Sequence, residues 1–119
     1  MAKILIVDDE PALRLLYSDE LSEEGYEVVT AANCGEASQL LKASDIDLVV
    51  LDIQLKQESG LDMLQKIVQK QKDLPVILCS AYNCYKDDFS SWLADAYIVK
   101  SSDLSELKQE ISRQLTRRA

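Results

Sequence analysis

The sequence contains no histidine, and that absence argues against a typical zinc or other transition-metal centre, where imidazole is the commonest ligand. Cysteine is scarce: Cys34, Cys79 and Cys84 stand at unrelated spacings and one must stay unpaired. Neither a disulfide framework nor a thiolate zinc site is indicated, and reduced thiols are expected. No apolar run approaches the roughly 20 residues that cross a bilayer. Met1-Ala2-Lys3 leads straight into a strand-like segment, without the basic region, apolar stretch and cleavage site of a secretory leader. A cytoplasmic chain with no membrane partner is the expectation. Positive charge is also in deficit, 13 basic residues against 21 acidic giving a net charge of -8. Such a surface repels polyphosphate backbones, so direct nucleic-acid binding is not expected. Arg113, Arg117 and Arg118 fall in the last turn of an expected terminal helix, where cations complement the helix dipole.

What remains is ordinary globular material, 47% hydrophobic and 29% charged, and 119 residues suit one domain spanning 1–119. No linker or low-complexity stretch interrupts it. Apolar residues come as short continuous runs: Ile4-Leu5-Ile6-Val7, Leu48-Val49-Val50-Leu51, Val76-Ile77-Leu78-Cys79 and Tyr97-Ile98-Val99. Runs rich in β-branched residues, without alternation, predict strands covered on both faces, as in a parallel sheet. The more polar segment Tyr26 to Thr30 suits a sheet edge. Between the runs lie helical patterns. The first has Pro11 at its start, Leu13, Leu16, Tyr17 and Leu21 on one face, and Gly25 as a left-handed stop. The second opens with Asn33 and Glu36 as a capping box. A third begins near Gly60, a short fourth carries Phe89, Trp92 and Leu93, and the last carries Leu104, Leu107, Ile111 and Leu115. Five repeats of strand then helix imply a doubly wound α/β fold, a five-stranded parallel sheet with helices on both faces.

In such sheets ligands gather beyond the carboxyl ends of the strands. There the sequence places Asp8-Asp9, Asp52, Ser80 and Lys100. Crowded carboxylates repel unless one holds a proton or a cation intervenes. Oxygen-only ligands, with water and a substrate phosphate completing the shell, suit Mg2+. Lys100 can pair with a phosphoryl oxygen and the Ser80 hydroxyl can donate to another. Taken singly, each has a bland reading: acids that cap and charge the first helix, a loop acid, a strand-end hydroxyl, a solvated lysine and, for Tyr97, a half-buried aromatic.

The ordered set Ile4-Leu5-Ile6-Val7-Asp8-Asp9-Glu10-Pro11, Asp52 with Gly60 eight residues on, Ser80-Ala81 and Tyr97-Ile98-Val99-Lys100 resembles the receiver domains of two-component response regulators, chemotaxis-regulator-like. The resemblance covers essentially the whole chain. It implies the flavodoxin-like strand order 2-1-3-4-5. It further implies Asp52 as phosphoacceptor, Mg2+ held by Asp9, Asp52 and the main chain of Gln54 with Asp8 acting through water, Lys100 holding the phosphoryl group, and Ser80 with Tyr97 as a switch pair. The implied donor is a sensor histidine kinase or a histidine phosphotransfer protein. A chain without histidine cannot itself be the phosphohistidine donor, and the output partner is not specified.

Two rivals differ in class. An aspartate-nucleophile phosphatase resembles a pattern with a second aspartate two residues after the first, where this chain has Gln54. A receiver-like module binding partners without phosphorylation would not need the intact Asp8, Asp9, Asp52, Ser80 and Lys100 set. The chain departs from the common family pattern in three places: Leu55-Lys56 replaces Met-Pro, Ser101 follows Lys100 where proline is usual, and the fourth helix is short. A differently shaped loop after Asp52 and a trans Lys100-Ser101 bond are expected, since a cis bond before a non-proline residue costs about 2.5 to 4 kcal/mol.

Overall fold

The structure, a computed structural model, describes residues 2–55, 58–71, 73–80, 94–100 and 103–118. The expected fourth helix with Phe89, Trp92 and Leu93, the thiol Cys84 and the Lys100-Ser101 bond lie outside the described residues. Five strands, β1 (Lys3–Val7), β2 (Glu27–Ala31), β3 (Leu48–Asp52), β6 (Val76–Ser80) and β7 (Ala96–Val99), form one sheet in the order β2-β1-β3-β6-β7. All four pairings are parallel. Counting only these strands, the order is the expected flavodoxin-like 2-1-3-4-5, with the more polar β2 at an edge.

The continuous apolar runs are explained by what covers the sheet. Leu5, Val7, Val49, Leu51 and Leu78 face one side, with Ala37 of α2 (Cys34–Ala43) and Met63, Leu64 and Ile67 of α3 (Gly60–Lys70). Their chain neighbours Ile4, Ile6, Leu48, Val50 and Ile77 face the other, with Tyr17 and Leu21 of α1 (Pro11–Glu23) and Leu107 and Ile111 of α4 (Ser105–Arg118). Successive residues point to opposite faces, and both faces are packed, so neither can be polar. Each fully buried Leu or Ile contributes about 1.5 to 3 kcal/mol relative to exposure.

Local chemistry sets the helix ends. Pro11 is at the start of α1, and the Glu10 side chain makes no capping bond. Gly25 closes the helix at φ 95°, with its N–H donating to Ser22 O at 3.0 Å and that of Tyr26 to Leu21 O at 3.3 Å, the paired bonds of a Schellman stop. At α2 the cap forms as expected, Glu36 N–H donating to the N-cap Asn33 Oδ1 at 2.9 Å, while the return bond is displaced by one residue: Glu36 Oε1 accepts from Ala32 N–H at 2.8 Å rather than from Asn33.

One element has no counterpart in the sequence reading. Between β3 and α3 the chain forms a small antiparallel hairpin, β4 (Gln54–Leu55) with β5 (Glu58–Ser59). It carries no Asn-Gly or Asp-Gly turn signal. Tertiary bonds hold it instead: Gly60 N–H donates to Ile53 O at 2.8 Å, and Glu58 Oε1 accepts from Cys34 N–H at the start of α2 at 3.0 Å.

Gly60 is required by that turn, because a Cβ there would run into the Asp52 carbonyl oxygen and lie 2.9 Å from Ile53 Cα. Both obstacles are main chain, so relief requires moving the strand end. Gly25 has open space around its Cβ position and only an unfavourable φ. Urea unfolding should therefore show Gly25→Ala costing about 1 kcal/mol and Gly60→Ala up to about 3 kcal/mol. Equal costs would contradict this account of the turn.

Candidate functional site

The strand order brings the chemistry together at the carboxyl edge. Asp8 follows β1, Asp52 ends β3, Ser80 ends β6 and Lys100 follows β7. Asp8, Asp52 and Ser80 are only 2%, 4% and 1% exposed, an environment that ionised side chains enter only when partnered. The partner is Lys100, whose Nζ lies 2.9 Å from Asp8 Oδ2 and 3.0 Å from Asp52 Oδ2. Both remaining oxygens take main-chain donors: Asp52 Oδ1 accepts from Gln54 N–H at 3.1 Å and Asp8 Oδ1 from Glu10 N–H at 2.9 Å. Lys100 is itself anchored to β6 by its N–H donating to Ser80 O at 2.7 Å. The bland reading of Lys100 as a solvated lysine does not hold.

The electrostatics are uneven. Burial pushes the Asp52 carboxyl above its ordinary range, and Asp8 adds to the effect, while the Lys100 hydrogen bond and charge and the Gln54 N–H only partly offset it. Burial alone would lower the Lys100 ammonium, but the two carboxylates outweigh it and raise it. The ammonium is thus firmly held in its charged form while one of its carboxylates is poorly stabilised. Opposite Asp52 in register sits Cys79, whose thiol burial pushes up to about 12. It adds no charge. Cys34 is likewise raised, to about 11, by burial and then by Glu58, and both are free thiols, as expected.

Asp9 stands apart from the lysine. It lines an open cleft of about 430 Å³ with Ile53, Gln54, Leu55, Glu58 and Ser59. Asp8, Asp9 and Glu10 can each present a carboxylate oxygen within 4.8 Å of the others. An all-oxygen acidic set of this kind fits a hard cation such as Mg2+. Asp52 is tied to this cluster through Lys100, and Gln54 through the cleft it shares with Asp9.

Ser80 and Tyr97 also fall on one side of the sheet. Tyr97 pairs with Leu78 in register, and Ser80, two residues beyond Leu78, shares its face. Tyr97 is half-buried against the cluster that contains α2 and α3.

Three residues without an assigned role in the sequence contribute here: Glu10, which ends the motif run and donates its N–H to Asp8 Oδ1; Arg14, which donates from Nη1 to the Asp8 carbonyl at 2.7 Å; and Tyr17, buried on α1 within electrostatic reach of Lys100, Asp8 and Asp52. Arg14 one helical turn after Glu10 was a readable signal. Tyr17 was indistinguishable from core.

The strand order and the helices on both faces define the doubly wound α/β class, and comparisons sharpen the assignment. Residues 4–112 match the family model described as the response regulator receiver domain. The chain belongs to that family. It is similar to the DNA-binding transcriptional regulator NtrC of Rhizobium meliloti (strain 1021), 35% identical over 96% of this chain and 24% of that protein. To the probable transcriptional regulator ycf27 of Cyanophora paradoxa it is 38% identical over 98% of this chain and 48% of that one. The chain thus spans about a quarter of the one relative's length and about half of the other's. Among solved structures, the response regulator TrrA of Thermotoga maritima in complex with Mg2+ and BeF has a TM-score of 0.92 and 46% identity, covering 96% of this chain and 99% of that one. A second structure, of TrrA in complex with the histidine kinase ThkA, has a TM-score of 0.91 and 47% identity, over 97% of this chain and 99% of that one.

The raised Asp52 carboxyl has a consequence for stability. Below the unfolded pKa, near 4, both states hold the proton and nothing is lost; as pH rises through the folded value, ionising the buried group costs stability, and the cost persists at neutral pH. Asp52→Asn removes it and leaves Lys100 paired with Asp8. With EDTA present, the melting temperature of Asp52→Asn should exceed that of the parent by a margin that widens from pH 4 to pH 7. A margin that is flat or narrows would show that Lys100 fully compensates Asp52.

Proposed function

We propose that Asp52 accepts a phosphoryl group from the phosphohistidine of a sensor kinase or histidine phosphotransfer protein, or from a small acyl phosphate, and that its phosphorylation switches a protein-interaction surface. The observation that carries this reading is the buried Asp52 carboxylate held 3.0 Å from Lys100 Nζ at the carboxyl edge of the sheet. An oxygen of Asp52 attacks the phosphorus, the nitrogen-phosphorus bond breaks, and the imidazole leaves on the partner, giving an acyl phosphate. Lys100 moves from sharing two carboxylates to holding a phosphoryl oxygen, as a cation pre-positioned where negative charge increases. Asp9, Asp52 and the main chain of Gln54 would hold Mg2+, with Asp8 acting through water. Bound there, the ion neutralises charge on the transferred oxygens.

Several findings support this reading. Asp8 is already committed to Lys100 and to Glu10 N–H, whereas Asp9 faces the cleft, which suits an indirect role for the first and a direct one for the second. A similar regulator carries Mg2+ and BeF, and the same regulator forms a complex with a histidine kinase. Ser80 and Tyr97 on one sheet face suit a pair that responds together, shifting the surface around β7 and α4. No helix among the described residues is long and apolar enough to cross a membrane, in keeping with a cytoplasmic partner. The DNA-binding named for the longer relative NtrC would reside outside a receiver as acidic as this one.

Labelled acetyl phosphate with Mg2+ should label the parent and leave Asp52→Asn unlabelled with its fold intact by circular dichroism. Labelling of the variant at the parental level would overturn the assignment. Calorimetric titration should show Asp9→Ala weakening Mg2+ by about 10- to 100-fold, and Asp8→Ala by less. Equal losses would contradict the division between direct and indirect acids.

A further inference from the structure

On the face opposite α1 and α4, the helices α2 and α3 leave a groove with a cavity of about 70 Å³ between them. That is room for about one aliphatic side chain. Its floor is apolar, with Leu41 partly buried and Met63 and Ile67 only 3% and 4% exposed. Its rim is basic, formed by the exposed Lys42, Lys66 and Lys70.

The lysines are unusual in their pairing. Of the six lysines among the described residues, Lys3 pairs with Glu27, Lys100 with Asp8 and Asp52, and Lys108 with Glu20. The other three, without an ion pair among the described residues, are those of the groove. Asp62 lies one turn before Lys66 on α3, yet the two make no ion pair within 4 Å among the described residues. In a chain of net charge -8, cations without an ion pair among the described residues are the scarce kind of charge, and here three of them surround an apolar slot.

We infer that the α2–α3 groove is a docking site for an acidic amphipathic helix of a partner protein, which seats an aliphatic side chain on Leu41, Met63 and Ile67 and sets carboxylates against Lys42, Lys66 and Lys70. Charge complementarity selects this occupant. A helix is narrow, so its carboxylates meet the basic rim and little else, whereas a flat anionic bilayer would also approach the rest of a chain whose net charge is -8. A second copy of the chain brings the same net negative charge over a broad surface. The helix supplies an aliphatic anchor for the floor while lysine stems lie along it and keep their ammonium groups in water. The inference is independent of whether Asp52 is phosphorylated, since none of its residues belongs to the strand-end site.

The test uses the whole chain and a synthetic helical peptide of about 18 residues, with leucines spaced i, i+4 and glutamates flanking them. The chain has two methionines, Met1 and Met63, so methyl-labelled methionine gives a spectrum in which the Met63 signal reports the groove floor. Addition of the peptide should shift that signal. Lys66→Glu with Lys70→Glu, both at exposed positions, should weaken binding at least about tenfold, as should replacing the peptide leucines by serine. Raising salt from about 50 to 150 mM should weaken it further. The proposal is overturned if the peptide fails to shift Met63, if the charge-reversed chain binds as well as the parent, or if the serine peptide binds equally. It is also overturned if anionic phosphatidylglycerol vesicles shift Met63 and the peptide does not.

Discussion

The organising interaction is the Lys100 ammonium, held 2.9 Å from Asp8 and 3.0 Å from Asp52. Two nearly buried carboxylates side by side would repel, and a desolvated ammonium alone would lose its proton. Together they form a cluster that persists only if three separate strands end at the same level. Register supplies that level: Val7 pairs with Leu51, Asp52 with Cys79 and Ser80 with Val99. A slip of one residue in any strand would turn its side chains to the opposite face and break the cluster. The apolar runs on both faces, which resist such a slip, are therefore what holds the charges in place.

The hairpin β4–β5 extends this constraint outward. Gly60 admits the Asp52 carbonyl where any side chain would collide with it, so α3 begins tight against the end of β3. Glu58 then ties the hairpin to the first turn of α2. The loop after Asp52 is consequently fastened at both ends, with Asp9, Gln54 and Glu58 facing one cleft. On the proposed reading, a cation or phosphoryl group arriving there meets walls already in place and spends little free energy ordering them.

Much of the architecture was legible in the sequence because it rests on local signals. Continuous β-branched runs marked doubly covered strands, Asn33 with Glu36 marked a helix start and Gly25 a helix stop, and the chemistry-bearing side chains could be placed because each follows an apolar run directly. The hairpin was not legible, because its two-residue strands are too short to show alternation and are held by Gly60, Ile53, Glu58 and Cys34, distant from any turn motif. The sharing of Lys100 between two aspartates was also hidden. Sequence placed the lysine at the right edge but could not show that it already has partners before any phosphoryl group arrives. The same applies to the α2–α3 groove, whose lysines look like ordinary solvated side chains until the apolar floor between them and their lack of ion pairs among the described residues are seen together.

The uneven protonation energetics carry the final argument. A site selected for stability alone would neutralise Asp52 or give it donors enough to hold its proton affinity down, as main-chain N–H groups do for many buried carboxylates. Among the described residues, one main-chain donor and half of a shared lysine face the desolvation of burial and the neighbouring charge of Asp8. The remaining imbalance is negative, and it lies beside further acids at Asp9 and Glu10. On the proposed reading, that imbalance is functional: a divalent cation held beside Asp52 would relieve it, and part of the cost of burying the carboxylate would be recovered on binding. Local disadvantage of this kind is expected where a sequence serves chemistry ahead of folding. The well-packed strands on either side of the edge, none of whose core residues takes part in that chemistry, are what allow the protein to tolerate it.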